Sequence, residues 1–266
     1  MGNALLLKLG SFARLSPEDA STLENVTRQG VRALQPREDI VREGERSNYL
    51  ILILSGWAIR YKALENGRRQ IIGILLPGDV CDLNVFLLHR MDHSLGTLTA
   101  ASICEVDRGT WDAIAHGHPG IVHALERDAL VTSAIHRRWI LNLGQRSALQ
   151  RVAHLQCEIL HRLRFVGLAD QEGCEFPMTQ TDLADACGLS AVHVNRTLQE
   201  LRAAGLITLH GRRLSVPDLS ALQRTALFNP DYLHLDRSVR EPNESAAAPV
   251  TVEAQPEPLL RVEPVS

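Results

Sequence analysis

Between Pro36 and Asp107 the apolar residues come in short alternating runs, separated by turn residues at Glu43-Gly44, Ser55-Gly56, Asn66-Gly67 and Pro77-Gly78-Asp79. A period of two puts every second side chain on one face, so this segment predicts an all-β domain. Turns recurring roughly every 8 to 12 residues point to a small barrel or roll. Trp57 to Leu64 is the clearest strand, with Trp57, Ile59, Tyr61 and Ala63 on one side, and Asn66-Gly67 predicts a tight hairpin into Arg69 to Leu75. Ahead of the strands, Ser16-Pro17-Glu18-Asp19 reads as a helix start: a serine N-cap, proline at the first position and two acids at the positive end. Leu15, Leu23 and Val26 would pack that helix down.

After Trp111 the apolar spacing changes to three and four, and no proline lies between Pro119 and Phe176. The spacing predicts one long helix from about Pro119 to Asn142, a break at Leu143-Gly144-Gln145, and a second helix from Ser147 to Phe165. On the first, Ile121, Val122, Leu125, Ala129, Thr132, Ile135, Trp139 and Leu143 form a wide stripe that must be covered. The chain's own β domain accounts for part of it. The sharper reading is the same helix of a second subunit, which makes Ile121, Leu125, Thr132, Ile135 and Trp139 dimerisation residues. Asp128 interrupts the stripe, so this is not a strict coiled-coil seam.

Met178 to Val216 carries the most specific pattern. Thr179 caps a first helix with Asp182 three residues on, an aspartate variant of the capping box; Gly188 ends that helix, and Ser190 caps the next. Helices joined by so tight a turn cross closely, which suits small Ala184 at the crossing and Leu183, Cys187, Leu189, Val194, Leu198 and Leu201 in the shared core. At about 100° per residue, Val192, Arg196 and Gln199 then point outward, with Asn195 and His193 on the flanks and Ala191 at the exposed start. Arginine can pair with guanine, asparagine with adenine, and a small apolar group can touch a thymine methyl, so Ala191, Val192, Asn195, Arg196 and Gln199 are candidate base readers. A hairpin from Ile207 to Val216, turning at His210-Gly211, forms a wing. Thr179, Ser190, His193, Arg212 and Arg213 are the candidate contacts to the phosphate backbone.

Charge sharpens this reading. The formal net charge is −3, which alone argues against a nucleic-acid partner. Divided along the chain, residues 1–135 sum to −2, residues 136–216 to +3 and residues 217–266 to −4, and all ten cations of the middle block are arginines. The attraction for phosphate is thus concentrated on the segment with the two short helices. Five scattered cysteines, Cys81, Cys104, Cys157, Cys174 and Cys187, lack the clustering of a disulfide framework, a zinc site or an iron-sulfur site, and Cys157 and Cys187 fall on apolar helix positions. No run of about 18 apolar residues is present and Met1 to Leu9 lacks the features of a signal peptide, so the expected location is the cytoplasm with no membrane partner. The stretch from Arg240 to Ser266, rich in proline, glutamate, alanine and valine, predicts disorder.

Over about Leu9 to Leu219 the chain resembles the Crp/Fnr family of transcription regulators. The resemblance rests on Glu43-Gly44-Glu45, Tyr49 to Gly56, Gly67, the Pro77-Gly78-Asp79 turn, the segment from Gly188-Leu189-Ser190 to Arg196, and the order of parts. It implies an α+β fold: an N-terminal jelly-roll-like β-roll of the cyclic-nucleotide-binding type (1–117), a long dimerisation helix and hinge (118–144), a winged helix-turn-helix (145–220), and a C-terminal extension (221–266). It also implies a homodimer on double-stranded DNA, RNA polymerase as a partner and a small-molecule effector of unknown identity.

Departures from the family pattern bear on the sensor. Where cyclic-AMP-binding members carry Gly-Glu-Leu and later Arg-Ser, this chain reads Cys81-Asp82-Leu83-Asn84 and His93-Ser94-Leu95. Asp82, Leu83, Asn84, His93 and Ser94 are therefore the candidate effector pocket, but histidine is a poor stand-in for an always-charged phosphate partner. No cysteine precedes Cys81, which excludes the clustered N-terminal iron-sulfur ligands of the oxygen-sensing branch. Val192 stands where the family commonly has glutamate on the recognition helix. His89, His93, His116 and His118 are candidate haem ligands, and His116-Gly117-His118 has the look of a metal pair in a β-roll enzyme. Surface histidines explain the former, and the latter sits at a helix end without a completing carboxylate. The sequence thus predicts no metal, no cofactor and no catalytic residue; the alternatives are a cyclic-nucleotide-binding regulatory protein and, behind it, a metalloenzyme.

Overall fold

A computed structural model of the chain describes residues 3–83, 85–88 and 90–235. The sequence expectation for Arg240 to Ser266 lies outside these residues. Two helices open the fold: α1 (Ala4–Phe12), capped by Asn3, and α2 (Pro17–Arg28), capped by Ser16 with the reciprocal bond from Asp19. α2 is the helix that the Ser-Pro-Glu-Asp start predicts; α1 carries no such signal and went unread.

Eight strands follow: β1 (Val31–Leu34), β2 (Asp39–Val41), β3 (Tyr49–Ser55), β4 (Ala58–Ala63), β5 (Arg69–Leu75), β6 (Val80–Cys81), β7 (Ser94–Thr97) and β8 (Ala101–Asp107). They form two four-stranded antiparallel sheets, ordered β1-β8-β3-β6 and β2-β7-β4-β5. Asn66-Gly67 makes the β4–β5 turn, with Gly67 at φ 80°. Trp57, Ile59 and Tyr61 do share a face, yet the opposite face is buried too: Ala58 packs into the roll interior while Trp57 and Ile59 join the core of the C-terminal half. A strand sandwiched between two cores loses the polar side that simple alternation assigns to it.

The rest is mainly helical. α3 (Arg108–Gly117), capped by Asp107, leads to α4 (Pro119–Gln145) and α5 (Ala148–Phe165). α4 runs through Gly144, so the break expected at 143–145 falls instead at Arg146, where ψ turns to 148° and Ser147 caps α5 with a capping box to Gln150. Glycine tolerates a helix interior at a cost of about 1 kcal/mol, whereas a serine cap actively starts a new helix. β9 (Gly173–Glu175), α6 (Gln180–Cys187), α7 (Ala191–Ala203), β10 (Thr208–His210) and β11 (Arg213–Ser215) complete a compact unit with a three-stranded sheet ordered β10-β11-β9. Beyond it α8 (Leu219–Ala226) and a short 3-10 turn (Pro230–Leu233) fold back on α5 and α4. None of the described helices is long and apolar enough to cross a membrane.

Part of the dimerisation stripe expected from the sequence turns inward. Ile121, Leu125 and Trp139 are buried within this chain, and Thr132 and Ile135 are half-buried. Periodicity finds an apolar stripe but does not say whose core covers it. The side of α4 that faces solvent carries Leu130, Ser133, Arg137, Ile140 and Leu141, with Leu130 69% and Ile140 70% exposed.

Candidate nucleic-acid interface

α6 and α7 are built by local signals. Thr179 accepts from the Asp182 amide (3.1 Å) and Asp182 accepts from the Thr179 amide (2.9 Å), closing the box at the start of α6. Gly188, at φ 63° and ψ 44°, ends it in the left-handed conformation that a residue without Cβ adopts freely. Ser190 accepts from the His193 amide (3.2 Å) and starts α7. Leu183, Ala184, Cys187, Val194, Leu198 and Leu201 are buried between the helices, joined by Thr197, whose polarity hid it from a reading based on apolar spacing.

The consequence for α7 is a free outer face. Ala191, Val192, Asn195, Arg196 and Gln199 are all exposed and His193 is half-buried on the flank. Val192, 82% exposed, makes no contribution to any core. The Arg196 guanidinium has only a loose i,i+4 contact with Glu200 at 3.8 Å, worth a few tenths of a kcal/mol. Thr179 and Ser190 are exposed at the two helix starts on the same unit.

The wing differs from expectation in detail. The tight turn is Gly211-Arg212 rather than His210-Gly211, which puts the exposed Arg212 at its tip. Arg213 is not free: its Nη2 donates to Asp170 Oδ2 at 2.6 Å, and this bond raises the guanidinium further above its ordinary value. Its first partner is a loop carboxylate, a pairing across 43 residues that spacing does not reveal.

Asp182 has a second function that the capping pattern does not show. Arg37 donates to both its oxygens (2.6 and 2.7 Å), and Arg69 reaches Asp182 (3.3 Å) and Asp185 (2.9 Å). Burial acts to raise the Asp182 carboxyl, but the bonds from Arg37 and Thr179 outweigh it and leave the group below the ordinary carboxylate value. These ion pairs tie the roll to the first helix of the reading unit, and Trp57 packs edge-on against Phe176 (6.0 Å) along the same junction.

The candidate effector residues are closed on one another. Asp82, at φ 51°, faces His93 (3.2 Å) and Arg60 (3.6 Å); His93 also bonds Asp92 (2.7 Å), and Ser94 accepts from the Glu43 amide (2.9 Å). Burial pulls the His93 ring down, but the Asp82 carboxylate, through its bond and its charge, and the bond to Asp92 together outweigh it, so its pKa lies above the ordinary histidine value. Leu83 is half-buried and Asn84 lies outside the described residues. A small cavity opens elsewhere, under α4 and α5, lined among others by Arg60, Gly73, Asp79, His136 and Arg162 and by none of the candidate pocket residues described. Spacing along the sequence does not reveal it, because its walls come from six separate segments.

The histidines weighed as ligands have structural partners. His118 bonds Asp19 (2.9 Å) and Thr22 (3.1 Å), and His116 bonds the Asp112 carbonyl (2.6 Å); His89 lies outside the described residues. Among the described residues no group of three metal-ligating side chains comes together. All five cysteines are buried and free, and burial pushes Cys157, Cys174 and Cys187 up to about 12, far from thiolate reactivity.

Comparison with known proteins agrees with this layout. Residues 31–118 match the family model of the cyclic nucleotide-binding domain and residues 150–225 that of the Crp-like helix-turn-helix domain. The chain is 31% identical to the transcriptional activatory protein AadR of Rhodopseudomonas palustris, covering 76% of this chain and 82% of AadR. It is 26% identical to the transcriptional activator protein FnrL of Cereibacter sphaeroides, covering 80% and 86%. Among solved structures, FixK2 of Bradyrhizobium japonicum superposes with a TM-score of 0.65 at 25% identity, over 73% of this chain and 96% of FixK2. AadR and FnrL are activators of transcription. A roll, a long helix and a helix-turn-helix with a wing, in that order and with that likeness, place the chain in the Crp/Fnr family of DNA-binding transcription regulators.

Proposed function

We propose that the chain acts in the cytoplasm as a homodimer on a palindromic operator, with the outer face of α7 in the major groove. The observation that carries this reading is that face itself: five exposed side chains that the fold does not use, on a helix fixed from behind by its leucines. Arg196 has the reach and geometry for guanine O6 and N7, Asn195 for adenine, and Val192 or Ala191 for a thymine methyl, with Gln199 at the end of the row. Thr179, Ser190, His193 and Arg212 lie where phosphates would pass, and Arg213 would join them by giving up Asp170.

The second copy is assigned to the solvent side of α4, along Leu130, Ser133, Arg137, Ile140 and Leu141, rather than to the buried stripe. Two α7 helices would then enter successive major grooves roughly 34 Å apart. Sedimentation tests the pairing: Ile140→Glu should turn a dimer into a monomer, and a dimer indifferent to that change contradicts it. RNA polymerase is the expected further partner, and the roll is the expected sensor. Cyclic nucleotide is disfavoured as its signal, because Asp82 and Asp92 flank His93 and would repel a phosphate there.

Selection of bound sequences from random duplexes tests the function as a whole. A two-fold symmetric site with half-sites about 10 base pairs apart is the expected product. Recovery of unsymmetrical sequences, or of none, contradicts the reading.

A further inference from the structure

The family model of the reading unit ends at residue 225, but the described chain goes on to Leu235 and makes some of the most buried polar contacts in the molecule. It turns back at Leu227, whose φ of 49° is unfavourable for a branched side chain. The Leu227 carbonyl accepts from Arg146 Nη2 at 2.7 Å. Arg146 is the first of the two residues between α4 and α5, followed by the cap Ser147, and its other arm bonds Asn142 of α4. Phe228 then meets His154 edge-on (4.9 Å) and stacks on His161 (5.2 Å), both of α5. Tyr232 donates to the buried Glu158 of α5 at 2.7 Å while the Arg138 guanidinium of α4 lies over its ring at 4.8 Å. Trp139 of α4 donates to the same Glu158 carboxylate at 3.1 Å.

Two helices joined by only two residues pivot unless something braces both. We infer that residues 227–235 are a strap across the α4–α5 hinge, holding the reading unit at one angle to the roll and to the dimer axis. Together the anchors span the joint: Tyr232 meets Arg138 of α4 and Glu158 of α5, Phe228 meets His154 and His161 of α5, and Leu227 holds Arg146 between them. The strap is also a wall of the cavity under α4, through Leu233 and Leu235, opposite Arg60 and Gly73 of the roll. A change in how that cavity is filled therefore bears directly on the strap, and through it on the angle. The consequence for DNA rests on the proposed function, whereas the bracing does not.

Hydrogen exchange on the full-length chain without DNA tests the brace. Tyr232→Phe removes one anchor at the far end of the strap, and Phe228→Ala removes the aromatic stack. Amides from about Asn142 to Arg151 should exchange roughly fivefold faster in the first and tenfold in the second, while those of Val194 to Leu201 stay as in the wild type. If Phe228→Ala loosens α6 and α7 as well, the milder Tyr232→Phe decides. Hinge amides that exchange at the wild-type rate in Tyr232→Phe overturn the strap, even where DNA binding is intact. Loosened hinge amides in a chain whose wild type ignores duplex DNA leave the strap standing and remove the proposed function.

Discussion

The charges at the junction of roll and helices and the charges on α7 are kept in opposite ways. At the junction, Lys8 bonds Asp79 (2.7 Å) and Asp128 (2.6 Å), Arg162 bonds Asp79 (2.5 Å), and all four are nearly sealed from solvent. Burial alone would raise the Asp79 carboxyl; Lys8 and Arg162 overcome it and bring the group down to about 2. On α7, Arg196 is mostly in water beside a distant Glu200. A buried charge has to be matched by the fold, because leaving it alone costs several kcal/mol. A charge left loose on a surface costs the fold nothing and remains available for a partner. The contrast separates the part of the molecule that specifies structure from the part that meets DNA.

Substitutions should separate these two kinds of charge further. Asp79→Asn removes the carboxylate that Lys8 and Arg162 share, leaving Lys8 with Asp128 and Arg162 with Glu158 at 3.6 Å, and should cost about 3–5 kcal/mol of folding stability in denaturant unfolding, with unchanged operator affinity per folded molecule. Arg196→Ala should do the reverse, costing about 1–3 kcal/mol of operator affinity with stability within about 0.5 kcal/mol of wild type.

A smaller effect comes from pH. His154 is buried, its Nδ1 accepts from the Asn142 amide, and burial together with Arg146 lowers its pKa from 6.5 to about 3. The folded state thus binds its proton more weakly than the unfolded chain does. Its contribution is complete above pH 6.5 and is lost as pH falls toward 3, at about 1 kcal/mol per pH unit. Unfolding midpoints at pH 7.5 and 5.5 should show this slope, and His154→Gln should flatten it. The smallest effect belongs to Arg212→Ala, which should weaken binding to all duplexes alike and reduce the salt dependence by about one counterion.

The reading helix was legible in the sequence because everything that makes it is local. Caps at Thr179 and Ser190, the turn at Gly188 and the inward leucines fix its ends and its face within some twenty residues. The order of sheet and helices was legible for the same reason. What stayed hidden depends on partners far along the chain. Arg37 and Asp182 are 145 positions apart, and neither carries a local sign of the other. The apolar stripe of α4 was real but its covering lay within the same chain, as the burial of Ile121, Leu125 and Trp139 shows. Lys8 and the segment after Ala226 escaped for the same reason: their value is entirely in contacts that only the folded chain creates.

Methylation interference on the selected operator tests the central claim most directly, since a methyl on guanine N7 blocks the atom that Arg196 is assigned to grasp. One guanine in each half-site should, when methylated, abolish binding by the wild-type chain and make no difference to Arg196→Ala. The same interference in both proteins would mean that another side chain reads that base, and that the outer face of α7 has been given the wrong role.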